Sequence, residues 1–186
     1  LSSDYSFLNV FRYITFRSAY SGITALIFSM LMGGLMIRML MAFQVGEKIR
    51  DDGPQSHVAK SGTPTMGGLL ILSTLIASTL LWANLTNPYI WLVLGATVGF
   101  GLIGVVDDFM KLKKDEGMTA RAKLILQILL SLAIGIYLIY FDPSRGEYAT
   151  RLYIPFFKEF QPDLGTWYLL LVVITIVGTS NAVNLT

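Results

Sequence analysis

The chain is 186 residues long, 54% hydrophobic and only 14% charged, with a mean hydropathy of +0.61. A soluble domain carries roughly 25% charged residues and could not hide this much apolar surface, which excludes a water-soluble fold. The net charge of +2 is too balanced for a nucleic-acid binder, the absence of cysteine excludes disulfides and thiolate chemistry, and a single histidine excludes a multi-histidine metal site.

In chain order, residues 3–18 come first. Phe7, Leu8, Phe11 and Ile14, with Arg12 and Arg17, predict a short amphipathic helix lying on the outer membrane face. Five apolar runs follow: Ser21–Phe43 (broken only by Arg38), Met66–Leu85, Pro88–Val106, Leu124–Phe141 and Thr166–Thr186. Each is close to the ~20 residues with which a helix crosses a bilayer. No run alternates with period two, so a β-barrel is not expected and helices are. The fold class is therefore all-α and polytopic: one transmembrane domain over 1–186, with helices near 21–43, 66–85, 88–106, 124–141 and 166–186. Segment 142–165 is polar, and Tyr148–Ile154 predicts a short strand there.

Lysine and arginine orient the spans. Loops 44–65 and 107–123 carry eight (Lys48, Arg50, Lys60, Lys111, Lys113, Lys114, Arg121, Lys123), against five on the other side (Arg12, Arg17, Arg145, Arg151, Lys158). The bias puts both loops in the cytoplasm and segment 142–165 outside. Trp82, Trp91 and Trp167 fall near the outer ends, where tryptophan anchors at the interface. The chain starts at Leu1 rather than Met and stops at Thr186 without flanking charges, which predicts that both ends are cut.

The polar residues needing a reason gather at the cytoplasmic edge. Asp107 and Asp108 directly follow the third span, where Lys and Arg are usual. They either mark the exit from lipid or carry chemistry. If the helix continues, Lys111 is within reach of both. Lys60-Ser-Gly-Thr-Pro-Thr-Met-Gly-Gly68 precedes the second span. Its glycines let backbone N–H groups approach an anion, and Lys60 adds charge. Thr63 or Thr65 can cap the helix with Pro64 in its first turn. His57 is a solvated loop residue or a substrate contact. Lys123, beside Arg121, is a positive flank or a phosphate ligand. Asn181 and Asn184 share one helix face, for interhelical bonding or for a polar substrate. Gly99-Phe-Gly101-Leu-Ile-Gly104 spells the dinucleotide fingerprint but lies inside a lipid-length run with no strand before it, so packing through Gly95 and Gly99 is the better explanation.

Together these residues resemble the phospho-N-acetylmuramoyl-pentapeptide transferase family, translocase I of peptidoglycan synthesis. The match runs through Asp51-Asp-Gly-Pro-Gln-Ser-His57, Lys60–Gly68, Val105-Val-Asp-Asp108 and Gly178-Thr-Ser-Asn-Ala-Val-Asn-Leu-Thr186. The resemblance implies ten membrane helices in the bacterial inner membrane and a cytoplasmic active face. It implies Mg²⁺-dependent transfer of phospho-MurNAc-pentapeptide from UDP-MurNAc-pentapeptide to undecaprenyl phosphate, giving lipid I and UMP. It makes Asp107 and Asp108 catalytic and metal-organising. It puts Lys60, Thr65, Asn181 and Asn184 around the uridine nucleotide and Lys111 and Lys123 at phosphates. It leaves the oligomeric state open, a homodimer included.

The family continues after Asn-Leu-Thr with an aspartate-rich stretch, then a further metal aspartate and a histidine motif, none of which lies in these residues. These 186 residues by themselves are thus expected not to catalyse transfer. Three other readings stand beside this one: a relative that transfers GlcNAc-1-phosphate to the same lipid, a transporter module with acids along an ion path, and a non-catalytic helical scaffold.

Overall fold

Backbone surrounded by lipid has to satisfy each N–H and C=O within its own segment, and the chain does so with helices. The computed structural model describes residues 6–43, 67–114, 117–141, 146–157 and 159–185. Among these the protein is all-helical: α1 (Ile14–Phe43), α2 (Gly68–Trp82), α3 (Pro88–Lys114), α4 (Ala120–Ile136) and α5 (Trp167–Leu185). The segments Ile14–Leu40, Pro88–Lys111 and Ala120–Phe141 are long and apolar enough to cross a membrane; Gly68–Trp82 and Trp167–Val183 are apolar but shorter.

Burial runs opposite to that of a soluble protein. Among the described residues, the buried apolar ones are only Leu40, Leu94, Ala149 and Val177, whereas Thr74, Ser78, Asp107, Gln127 and Ser131 are buried polar ones. Large side chains such as Met30, Leu31 and Ile71 point outward. In water such a surface would aggregate; in lipid it costs nothing, and small or polar residues make the contacts between helices.

The chain divides into two compact units, Leu1–Gly117 and Met118–Thr186. In the first, α1 and α2 run antiparallel. Gly33 of α1 lies under Leu70, and at the other end Arg17 Nε donates to the Trp82 carbonyl at 2.6 Å while Trp82 Nε1 donates to Thr24 Oγ1 at 2.9 Å. Arg17 thus offsets the negative end of α2. Phe11, Phe16 and Tyr20 pack around the Trp82 ring. This contact corrects the surface helix expected at 3–18. Only Ser6–Arg12 forms a separate 3₁₀ turn, and Arg17 already belongs to α1 because its partner is the end of α2.

The described part of α2 starts after Gly67, which has no side-chain cap and itself has helical backbone angles; the capping expected of Thr63 or Thr65, with Pro64, lies outside the described residues. On α3 the close approach to α2 is at Gly101, where a Cβ would overlap Leu72; of the pair expected to pack, Gly95 has open space around it. A turn closed by Asn84, whose Oδ1 accepts from the Thr86 hydroxyl at 2.8 Å, leads into α3. There Asn87 Oδ1 accepts from Tyr89 N–H at 3.0 Å, with Pro88 as the first helical residue.

In the second unit, Thr119 caps α4 by accepting from Ala122 N–H, and the helix ends in a π-helical turn at Tyr137–Phe141. α4 and α5 are antiparallel. Gln127, Ser131 and Gly135, four residues apart, form the buried stripe of α4. A Cβ on Gly135 would come within 2.8 Å of Leu169, which is why no side chain fits there. The strand expected at Tyr148–Ile154 does not form. A single antiparallel bridge joins Arg151 to Asp163, and one such pair between exposed turns is too short to extend. Asp163 instead organises the turn, accepting from the Thr150 hydroxyl and from Gly165 N–H.

Candidate active site

α3 does not stop at Val106 but continues to Lys114, so Asp107 and Asp108 occupy consecutive helical positions. Successive residues on a helix point about 100° apart, which gives the two carboxylates different surroundings. Asp107 is buried, its side chain 10% exposed; that of Asp108 is 35% exposed. Lys111 joins them. Its ammonium lies 2.9 Å from Asp107 Oδ2 and 3.3 Å from Asp108 Oδ1, one helical turn away from both. The two carboxylates therefore converge on one cation-sized point. Lys113, on the same exposed end, stands 4.6 Å over the Phe109 ring.

Gly117 covers this cluster from the chain that follows α3. A Cβ at that position would lie 2.6 Å from Asp107 Oδ1 and 2.8 Å from Lys111 Cε. Among the described residues no group of three His, Cys, Asp or Glu converges. The arrangement is a pair of hard oxygen donors with one lysine between them, net negative, suited to a divalent ion that also takes phosphate oxygens rather than to building a complete protein cage.

The second unit holds the other described candidates. Lys123 lies in the first turn of α4, next to Arg121. The positive end of the helix dipole disfavours cations there, so helix stability does not explain them. Asn181 Nδ2 donates to Gln127 Oε1 at 2.7 Å and to the Val177 carbonyl at 2.8 Å. Its amide thus makes the interhelical bond, and its own oxygen makes none of the described hydrogen bonds. Asn184 is within α5, one helical turn on. Lys60, Thr65 and His57 lie outside the described residues.

The sequence reading passed over Gln127 and Gly117. Gln127 carried a signal, being the one amide within the apolar run 124–141. Gly117 carried none, because a lone loop glycine reads as a turn.

Residues 90–186 match the sequence profile of glycosyl transferase family 4. The chain belongs to that family. Residues 60–72 also match signature 1 of the phospho-N-acetylmuramoyl-pentapeptide-transferases. That stretch contains Lys60 and Thr65; Asp107, Asp108, Lys111, Lys123, Asn181 and Asn184 all lie within the glycosyl transferase family 4 match.

The chain is 48% identical over 188 aligned positions to the phospho-N-acetylmuramoyl-pentapeptide-transferase of Pelobacter propionicus, covering 100% of this chain and 51% of that protein. It is 52% identical over 181 positions to that of Desulfatibacillum aliphaticivorans (96% and 49%) and 52% over 188 to that of Desulfosudis oleivorans (100% and 51%). The chain spans about half the length of the curated relatives it matches.

Proposed function

We propose that the protein transfers phospho-MurNAc-pentapeptide from its UDP carrier to undecaprenyl phosphate, forming lipid I and UMP for peptidoglycan. The reaction takes place at the cytoplasmic face of the bacterial inner membrane. The observation that carries this reading is the Asp107–Lys111–Asp108 cluster at the end of a lipid-length helix. An acid pair at the boundary between lipid and water suits an anionic lipid phosphate meeting a soluble nucleotide. The signature over 60–72 and the named relatives support the choice of substrate.

In this reading an oxygen of the lipid phosphate forms the new bond to the β-phosphorus of the donor, and the anhydride bond to the α-phosphate breaks, releasing UMP. The carboxylates keep the lipid phosphate deprotonated, and Asp108, the more open of the two, has the access to do so. Lys111 and Lys123 offset phosphate charge. Lys60, Thr65, Asn181 and Asn184 hold the nucleotide.

Mg²⁺ is the cofactor of this reading, and the donor set fits it. Asp107 and Asp108 would hold it, since their oxygens converge on one cationic nitrogen and Mg²⁺ takes one or two carboxylates with waters and substrate phosphates. When bound it supplies charge stabilisation to the phosphoryl group in transfer.

The test is lipid I formation by the complete gene product from radiolabelled UDP-MurNAc-pentapeptide and undecaprenyl phosphate. Asp107→Asn and Asp108→Asn should each lower turnover by a large factor with normal membrane insertion, because the amide is nearly isosteric but neither anionic nor basic. Wild-type turnover in both would overturn the assignment. Preference for UDP-GlcNAc as donor would move the substrate to the related sugar-phosphate transfer.

A further inference from the structure

We propose that Gly117 is a positioning residue for Asp107. The chain after α3 passes so close to the acid pair that only a missing side chain leaves the buried carboxylate in its observed orientation. This rests on the reading of Asp107 as part of the active site.

The ordinary reason for a glycine after a helix is a left-handed cap. That reason does not hold here. Gly117 stands three residues beyond Lys114, and its φ is outside the left-handed region, unlike Gly146 (+46°) and Gly165 (+49°). A left-handed backbone is therefore not what position 117 demands; space is. A Cβ would meet Asp107 Oδ1 at 2.6 Å, Lys111 Cε at 2.8 Å and Lys111 Cγ at 3.1 Å. The two nearest distances are shorter than real Cβ contacts allow, so something has to move.

The three nearest atoms all belong to side chains of the cluster. The strain of an added methyl therefore falls first on the Asp107 carboxylate and on the lysine that holds it. Asp107 has only two side-chain torsions, and its Oδ2 is tied to Lys111 at 2.9 Å. Rotating Oδ1 away from a new methyl swings Oδ2 off the ammonium. Gly117 thus sets the direction in which the buried acid points. No atom of the open Asp108 is among the three nearest.

The experiment compares Gly117→Ala with Gly104→Ala in the complete gene product, using lipid I initial rates and thermal stability in detergent micelles. Gly104 is on α3 with nothing within 4 Å of a built Cβ, so its variant should match wild type. Gly117→Ala should lose roughly tenfold to a hundredfold in kcat, the scale of a 1 Å misplacement at a reacting centre. The KM for UDP-MurNAc-pentapeptide should stay within about twofold and the melting temperature should be unchanged. A purely structural glycine would instead lower stability and leave the kcat of the folded fraction intact.

Three outcomes would overturn the proposal: kcat near wild type, an effect confined to KM, or loss of folded protein for Gly117→Ala but not Gly104→Ala. Asp107→Asn, run in parallel, separates the causes. If it is inactive while Gly117→Ala is normal, only the positioning role falls. If Asp107→Asn is fully active, the role of the acid pair falls, and this inference falls with it.

Discussion

Replacing Gln127 by leucine tests the contact that joins α4 to α5. Gln127 is 3% exposed, and its Oε1 accepts from Asn181 Nδ2 at 2.7 Å. The two single variants should not cost the same. In Gln127→Leu, Asn181 keeps its bond to the Val177 carbonyl, so one donor loses one partner. In Asn181→Leu, the Gln127 oxygen is left buried against apolar side chains, and an unsatisfied buried acceptor costs about 1–3 kcal/mol. Interhelical hydrogen bonds inside membranes average about 0.6 kcal/mol and reach about 1.7. Gln127→Leu should therefore cost about 0.5–1 kcal/mol and Asn181→Leu more. The double variant should recover part of the sum, because neither polar group is then stranded. The assay is equilibrium unfolding of the detergent-solubilised protein by a denaturing surfactant, read by circular dichroism through the full cycle. Coupling below about 0.3 kcal/mol, or the reverse order of the single costs, would refute the pairing.

Three further outcomes follow from single contacts. Gly101→Ala should destabilise the α2–α3 contact by about 1–3 kcal/mol, the cost of overpacking, because its Cβ would overlap Leu72. Gly95→Ala should be neutral in the same unfolding measurement, and equal losses would refute the distinction. Asp163 is held below the usual carboxylate range by the Thr150 hydroxyl first, then by Gly165 N–H and nearby Arg151. A carboxyl lowered on folding contributes stability above its unfolded pKa, near ~3.9, and loses it as pH falls through the lower folded value. The Gly165 amide shift in NMR should thus titrate with a midpoint below ~3.9 and cease to titrate in Asp163→Asn; a midpoint at or above that value would refute it. Lys60→Ala should raise the KM for the nucleotide substrate with little change in kcat, since a ground-state lysine contact contributes mainly uniform binding. An unchanged KM would remove Lys60 from the nucleotide site.

The sequence by itself determined the solvent, the existence of the five apolar helices and the family. Apolar runs of bilayer length leave the backbone no option but helix, and the strings at 60–68 and 105–108 are local patterns that need no tertiary context to be recognised. It also placed Lys111 within reach of both aspartates, because three- and four-residue spacings are fixed once a helix is granted. The tertiary structure decided which helix faces meet. Lipid is as apolar as leucine, so the spans are apolar all round and hydrophobicity marks no inward side; small and polar residues do, and they identify a face only when the partner is known. Hence Gly101 rather than Gly95 takes the close contact, and Gln127 emerges as the partner of Asn181. Arg17 leaves the surface to reach the end of α2. The same holds at the acid pair. Sequence gives two equal aspartates, and only the folded chain, with Gly117 beside Asp107, shows one of them buried and the other more open.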